Sequence, residues 1–507
     1  MINRIIAALS AGRLREVERF RRRPAEVQGE QLERLLAKGA ATAFGRDHGL
    51  WNVKTPGEFQ ARVPVRGYEE FFPYIERTRR GERDVLWPGE TRWFARSSGT
   101  TGSKSKYIPV TGDSLADCHM RGPKDCIAFN VERYPRTGVW GGKTLTLGGS
   151  RRMEREGENA LTGDLSAILI ENMPAIGRRW RVPRKETALL PDFEHKVERI
   201  CAECEGEDVR SLAGVPSWNL VMLRRLLDRT GAANLSEVWP RLELFIHGGV
   251  NFAPYRDVYR QLIPSEGMHY METYNASEGF FGIADEFGED MLLMLDYGMY
   301  YEFLPLARLD DPSCAVPLEG VREGVNYAII ITNSGGLWRY MIGDTVVFTS
   351  TDPYRIRISG RTRQYMNAFG EEIIVDNAER AVRVACRETG AEVTEYTAAP
   401  VFMEIDSKGA HQWVVEFGRE PRGGADAFAA ALDRALTGVN SDYEAKRWRN
   451  TTLMPPVVTA VPPGTFMRWM AAREKAGGQN KVPRLANDRR YVDDILSIVG
   501  RRPGPEG

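Results

Sequence analysis

A large α/β domain followed by a smaller α+β domain is the architecture this chain predicts, and three observations carry the prediction. At 507 residues the chain exceeds what one ordinary hydrophobic core holds, so two or three domains are expected. Between about residues 91 and 350, strand-like runs alternate with helix-like ones, the pattern of an α/β domain. Beyond a turn-rich stretch, Thr351-Asp352-Pro353-Tyr354 and then Ser359-Gly360, strands near 395–405 and 411–417 accompany helices near 374–388 and 425–437. The expected division is therefore residues 1–355 and 356–507.

Taken in order, residues 1–90 read as mainly helical, with apolar side chains at helical spacing through Leu32, Leu35, Leu36 and Ala40. Trp93-Phe94-Ala95 and Tyr107-Ile108-Pro109-Val110 read as strands around a loop of small residues. A helix is expected from Ser114, with a break at Gly122-Pro123. Thr144 to Leu147, Leu242 to Ile246 and Tyr327 to Ile331 are the clearest strands, and Phe193 to Glu207 reads as a helix. The tail from Arg501 is rich in Gly and Pro and is expected to be disordered. No internal repeat is seen.

Composition excludes several classes of function. Lys+Arg and Asp+Glu number 69 each, so no global field exists to hold nucleic acid or an anionic membrane. Arg21-Arg22-Arg23 and Arg151-Arg152 are short solvated runs. Six cysteines in so long a chain do not make a disulfide framework, and a reducing, cytoplasmic setting is expected. Cys201 and Cys204 are read as one face of a helix rather than as a metal or redox pair. Ile5 to Leu9 is too short for an export signal, and no apolar run reaches the length of a membrane span.

The chemistry is concentrated in a few segments. Arg96-Ser97-Ser98-Gly99-Thr100-Thr101-Gly102-Ser103-Lys104-Ser105-Lys106 combines hydroxyls, turn-forming glycines and two lysines, a loop suited to phosphates. Gly99 and Gly102 are too close together for the loop of the common nucleoside triphosphatases. His247-Gly248-Gly249 ends a strand in bare backbone against which a flat ring can lie. Tyr274-Asn275-Ala276-Ser277-Glu278-Gly279 offers an aromatic face, a hydroxyl and a carboxylate. Gly343-Asp344, after Trp338-Arg339-Tyr340, places a carboxylate where it can accept from a ribose diol. Gly360-Arg361 lies at the expected joint. Gly477-Gly478-Gln479-Asn480-Lys481 puts a cation on a pliable segment. Taken singly, each of these five later segments also fits an ordinary turn or loop.

In this order the segments resemble the adenylate-forming superfamily of acyl ligases, luciferases and peptide-synthetase adenylation domains. Ser97 to Thr111 and Arg339-Tyr340 before Gly343-Asp344 are similar, more narrowly, to the Gretchen Hagen family of acyl-acid amido synthetases, over about residues 28 to 495. Lys104 and Ser105 replace the proline and lysine usual in the wider superfamily, which favours the amido synthetases. Arg363 and Asn367 replace its hinge aspartate and a following lysine.

The resemblance implies an ATP-dependent ligase that adenylates a carboxylic acid and passes the acyl group to an amine, in particular an amino acid. An acyl-CoA ligase and a catalytically silent nucleotide-binding protein are the alternatives. It further implies that Ser97, Ser98, Thr100 and Thr101 bind phosphate oxygens, with Ser277 also at the nucleotide. Glu278 would hold Mg²⁺, Tyr274 and Gly248-Gly249 would frame the adenine, and Asp344 would take the ribose hydroxyls. Arg361 would reach the nucleotide when the mobile C-terminal domain closes, and Lys481 would sit between carboxylate and α-phosphate. Arg121, after the loop, is either a surface helix residue or a partner for an anionic acid.

Overall fold

The computed structural model describes residues 2–98, 105–147, 153–156, 159–190, 193–286, 288–362, 365–403, 408–450, 452–474 and 482–500. Two compact units are formed. The first comprises Met1–Ser97, Lys106–Gly249 and Arg260–Thr362, and the second Ser98–Ser105, Val250–Tyr259 and Arg363–Gly507. Residues 354–361 near the expected joint are a full strand paired with Tyr340–Thr351, and the first unit runs on to Thr362.

A twelve-stranded sheet is the frame of the first unit. At one end, His269–Ala276, Leu244–Gly248, Val209–Gly214, Lys143–Thr146 and Arg181–Val182 are parallel neighbours. From His269–Ala276 onward the pairing turns antiparallel through Gly279–Ile283, Met291–Leu293, Tyr354–Arg361, Tyr340–Thr351, Asn326–Asn333 and Met299–Pro305. Tyr327 to Ile331 is buried throughout, as expected of a strand covered on both faces. The expected strands at 144–147, 242–246 and 327–331 correspond to Lys143–Thr146, Leu244–Gly248 and Asn326–Asn333.

The helices Ile2–Arg22 and Pro24–Gly39 open the chain, and Leu32, Leu35 and Leu36 enter the same core as Phe281, Tyr301 and Ile331. Arg339 ties the neighbouring helix Pro56–Arg62 to the sheet. Its guanidinium pairs with both oxygens of Glu302 at 2.8 and 2.9 Å and donates to the Gln60 and Val63 carbonyls. Glu302 also accepts from Gln60 Nε2 at 2.8 Å.

Helical turns Gly112–Ser114 and Leu115–His119 come first, and at the break expected around Gly122-Pro123 a new helix, Arg121–Arg133, begins. Pro123 occupies the first turn, where its missing N–H costs nothing. A Cβ on Gly122 would lie 2.4 Å from the Phe280 ring, so this glycine admits a close approach rather than a bend. Cys201 and Cys204 are buried on the helix Phe193–Cys204 and donate to backbone carbonyls.

The second unit holds a sheet in which Glu392–Val401 runs antiparallel, and Val457–Val461 parallel, to Ala410–Arg419. The helices Val375–Thr389 and Gly424–Val439 belong to it, close to the expected spans. Glu371, fully buried, accepts from the Ala368 and Phe369 amides and contacts His411 Nε2 at 2.9 Å. Tyr255 of this unit donates to the Ala368 carbonyl at 2.5 Å.

Candidate active site

In a sheet of this kind the carboxyl ends of parallel strands are the natural ligand crevice. Gly214, Gly248 and Ala276 end three adjacent parallel strands, and the tight turn Ser277-Glu278 follows Ala276 directly. Asn333 Nδ2 donates to the Glu278 carbonyl at 2.8 Å, while its Oδ1 accepts from the Gly335 and Leu337 amides. Through Asn333 the hairpin tip is anchored to the antiparallel half of the sheet.

Asp344 is not at a strand end, where the sequence reading allowed a turn, but within Tyr340–Thr351. Between Met341 and Thr345 the register against Asn326–Asn333 shifts, and Gly343 adopts φ +97°, so this is a bulge that re-aims a side chain. Asp344 thereby accepts from Tyr274 Oη at 2.7 Å and pairs with Arg361 Nε at 2.8 Å. Asp344 and Arg361 are direct partners across the hairpin.

Tyr274 stands differently from the expectation that it frames an adenine. It is 4% exposed, and its ring packs on Phe281 with centroids 4.7 Å apart. Burial and the Asp344 charge hold its phenol well above the ordinary range, so it remains a donor that orients Asp344. Gly248 also has a local explanation: a Cβ there would meet the Thr273 carbonyl oxygen of the adjacent strand at 2.3 Å. Gly249, at φ +83°, is where the backbone turns off the strand.

Glu278 is buried, and burial first, then the neighbouring Asp344 charge, pushes its carboxyl up to about 7. Lys106 and Arg361 pull the other way. Lys106 is itself buried, with Nζ 5.9 Å from the centre of the Tyr68 ring. A carboxylate raised by burial gains when a cation restores its charge. Mg²⁺ commonly takes one or two carboxylates with substrate phosphates and water, so Glu278 fits such an ion. Among the described residues no cluster of three metal-ligating side chains exists.

Ser97 is half-buried one residue before the end of the strand Trp93–Ser98, and Ser277 is half-buried at the hairpin tip. Thr100, Thr101 and Lys481 lie outside the described residues, as do the side chain of Ser98 and the tail from Arg501. The structure thus brings together Tyr274, Glu278, Asp344 and Arg361. Arg121 pairs with Glu16 at 2.6 Å and Asp296 at 3.2 Å, so its charge is already matched.

Two further residues belong here. Tyr340 is fully buried, and its Oη has no hydrogen-bond partner among the described residues. It shares its surroundings with Glu278, Tyr68, Arg361 and Asp344. Lys106 was visible only as one of two lysines closing the loop. Trp338-Arg339-Tyr340 was visible as a motif, but nothing in it separates the structural Arg339 from the site-facing Tyr340.

Tyr274→Phe removes one hydrogen bond to a charged group, worth about 1.5–3 kcal/mol. Because Tyr274 orients Asp344 rather than the reacting atoms, KM for a nucleotide bound there is expected to rise roughly tenfold with kcat little changed. An unchanged KM in steady-state titrations of ATP would remove that role.

Comparison with known proteins adds a family. Sequence models of the GH3 family N-terminal domain match residues 13–229 and 156–268, of its central domain 292–361, and of its C-terminal domain 376–490. The chain is 23% identical to the indole-3-acetic acid-amido synthetase GH3.8 of Oryza sativa subsp. indica, over 93% of this chain and 90% of that protein. It is 21% identical to the jasmonoyl-L-amino acid synthetase JAR6 of Nicotiana attenuata, over 66% and 68% of the respective chains. The solved structure of the acyl acid amido synthetase AtGH3.15 in complex with 2,4-DB superposes with a TM-score of 0.60 at 18% identity, covering 94% of each chain.

Proposed function

Because the chain belongs to the GH3, or Gretchen Hagen, family, we propose that it is an ATP-dependent acyl-acid amido synthetase, an acid–amino-acid ligase. The observation that carries this reading is the meeting of Asp344, held by Tyr274 and Arg361, with the buried Glu278 at the carboxyl ends of the parallel strands.

In the first half-reaction a carboxylate oxygen attacks the α-phosphorus of ATP, the bond to the β-phosphate breaks, and pyrophosphate leaves. In the second an amine nitrogen attacks the activated carbonyl, AMP leaves, and the nitrogen gives up a proton. Two anions must meet in the first step, so positioning and charge neutralisation dominate. Asp344 accepts from the ribose hydroxyls through lone pairs that Tyr274 and Arg361 leave open. The hydroxyls of Ser97, Ser98, Thr100, Thr101 and Ser277 donate to the phosphates, and Gly248-Gly249 borders the base. Glu278 is the ligand for Mg²⁺, which supplies charge neutralisation on the phosphates when bound. Arg361 adds positive charge beside the nucleotide, and Lys481, brought by a mobile C-terminal domain of about residues 356–507, bridges carboxylate and α-phosphate.

The partners under this reading are a small carboxylic acid and an amino acid, as the names of the rice and tobacco relatives suggest, and not nucleic acid. Among the described residues no helix is long and apolar enough to cross a membrane. Six free cysteines fit a cytoplasmic setting.

ATP–pyrophosphate exchange with Mg²⁺ across a panel of carboxylic acids tests the proposal, followed by product analysis with amino acids and with coenzyme A. Acid-dependent exchange and an amide product are expected, and Lys481→Ala is expected to cut the exchange by about 10²–10³-fold while leaving the fold intact. A thioester as the only product would transfer the reading to the acyl-CoA ligases. ATP binding without exchange for any acid would leave a silent nucleotide-binding protein.

A further inference from the structure

A cavity of about 450 Å³ opens at the far end of the parallel strands, beside Arg181–Val182. That strand is four places along the sheet from His269–Ala276, roughly 19 Å at the usual strand spacing. The cavity is therefore separate from the site built on Glu278 and Asp344.

Its charge is unusual. Lys143, Arg178, Arg181, Arg184 and Lys185 all line it. Among the described residues, three of these side chains bond only to backbone carbonyls: Lys143 to Arg179 O at 2.8 Å, Arg178 to Met173 O at 3.1 Å, and Arg181 to Pro183 O and Thr146 O at 3.0 and 3.1 Å. Arg181 is 9% exposed, and two of its five N–H groups are so used. Its Nε is buried with no partner. Of the three carboxylates lining the cavity, Glu203 favours the Arg181 charge from a distance and bonds elsewhere, accepting from the Arg184 amide at 2.9 Å and from Thr187 Oγ1.

A second cation lies close behind. Lys196 is 3% exposed, and the Arg181 charge opposes its protonation. Burial pushes the Arg181 guanidinium down to about 10 and the Lys196 ammonium down to about 8. A buried guanidinium with no carboxylate bonded to it among the described residues is costly, and an anion in the cavity offsets that cost. The remaining wall mixes the apolar Ile170, Met173, Val182 and Pro183 with the carboxylates of Glu186, Glu203 and Glu207. A cavity of this size that combines convergent charged groups with some apolar surface is a common form of a small-molecule site.

We propose that this cavity is a second ligand site, taking a small organic anion whose phosphate or carboxylate group is held by Arg181 with Lys143 and Arg178, and whose apolar body lies on Met173, Val182 and Pro183. The site does not depend on the adenylation reading.

Calorimetric titration of the intact protein with phenyl phosphate and with benzoate, at constant ionic strength, tests it. At least one probe is expected to show a binding event that weakens tenfold or more in Arg181→Gln and about threefold in Arg178→Ala. Loss of the phenyl phosphate event alone assigns a phosphate group, and loss of the benzoate event alone a carboxylate. Arg178 is exposed, so its variant remains informative if Arg181→Gln fails to fold. No heat from either probe, or isotherms unchanged in both variants, would overturn the proposal, since anions bound at the Ser97–Lys106 loop do not sense Arg181.

Discussion

Glu278→Gln is expected to lower acid-dependent ATP–pyrophosphate exchange by about 10²–10³-fold, and at the same time to stabilise the metal-free protein at pH 8. The first effect follows from losing the carboxylate that neutral glutamine cannot replace as a cation ligand. The second follows from linkage. Glu278 titrates near 7 in the folded chain against an ordinary value of 4.5. Between those values the folded state binds more protons than the unfolded one, so stability falls as pH rises from about 4.5 to 7 and is level above. The penalty at pH 8 is of the order of 3 kcal/mol, and the amide does not incur it. Thermal melts of wild type and variant without Mg²⁺, at pH 5 and pH 8, should therefore converge at the lower pH and separate at the higher. Parallel melting curves at both would show that burial does not raise this carboxyl. Added Mg²⁺ should narrow the gap at pH 8 by stabilising the wild type alone.

Arg339→Ala is expected to cost about 3–5 kcal/mol of folding stability. Glu302 is 1% exposed and Arg339 4%, so the truncation leaves a buried carboxylate whose one remaining side-chain partner among the described residues is Gln60. The carbonyls of Gln60 and Val63 lose their donor as well. The Arg339 backbone is held at φ +47°, a left-handed conformation that alanine tolerates no better, so no relief of strain offsets the loss. Chemical denaturation of Arg339→Ala, Glu302→Leu and the double variant measures the coupling. The double variant should recover most of the loss, because it leaves no unpaired charge. Equal and additive losses would mean that the pair is not the link between the helix Pro56–Arg62 and the sheet.

The parts of this molecule legible in its sequence are those with local causes. An unbroken apolar run gives the strand at 327–331, and helical spacing gives the early helices, because each element meets the core with its own side chains. The same holds for the order of motifs that pointed to the family. What was not legible depends on partners far along the chain. Arg339 meets Glu302, and Tyr274 meets Asp344, only after the sheet has formed. That Gly248 also makes room for the Thr273 carbonyl could not be read locally, because Thr273 belongs to another strand. Gly122-Pro123 marks the join between two helical segments as its residues suggest, but the Phe280 ring that Gly122 makes room for lies far along the chain. The segment Val250–Tyr259 joins the second unit from within the first one's stretch of sequence, which no composition change announces.

The hairpin formed by Tyr340–Thr351 and Tyr354–Arg361 also governs where the chain tolerates changes in length. Asp344 and Arg361 sit opposite each other near its open end, and Asp352-Pro353 closes the other. A residue added at that turn lengthens a loop and leaves the pairing behind it alone. A residue added between Asp344 and the turn must be absorbed by the ladder or it rotates Asp344 to the opposite face. The ladder already contains two irregularities, at Thr345/Val346 and Phe348/Ser350. Deletions there have slack to consume, while insertions enlarge a ladder that already shifts register against Asn326–Asn333 as well. This hairpin is accordingly a place where the chain can shorten more readily than it can grow.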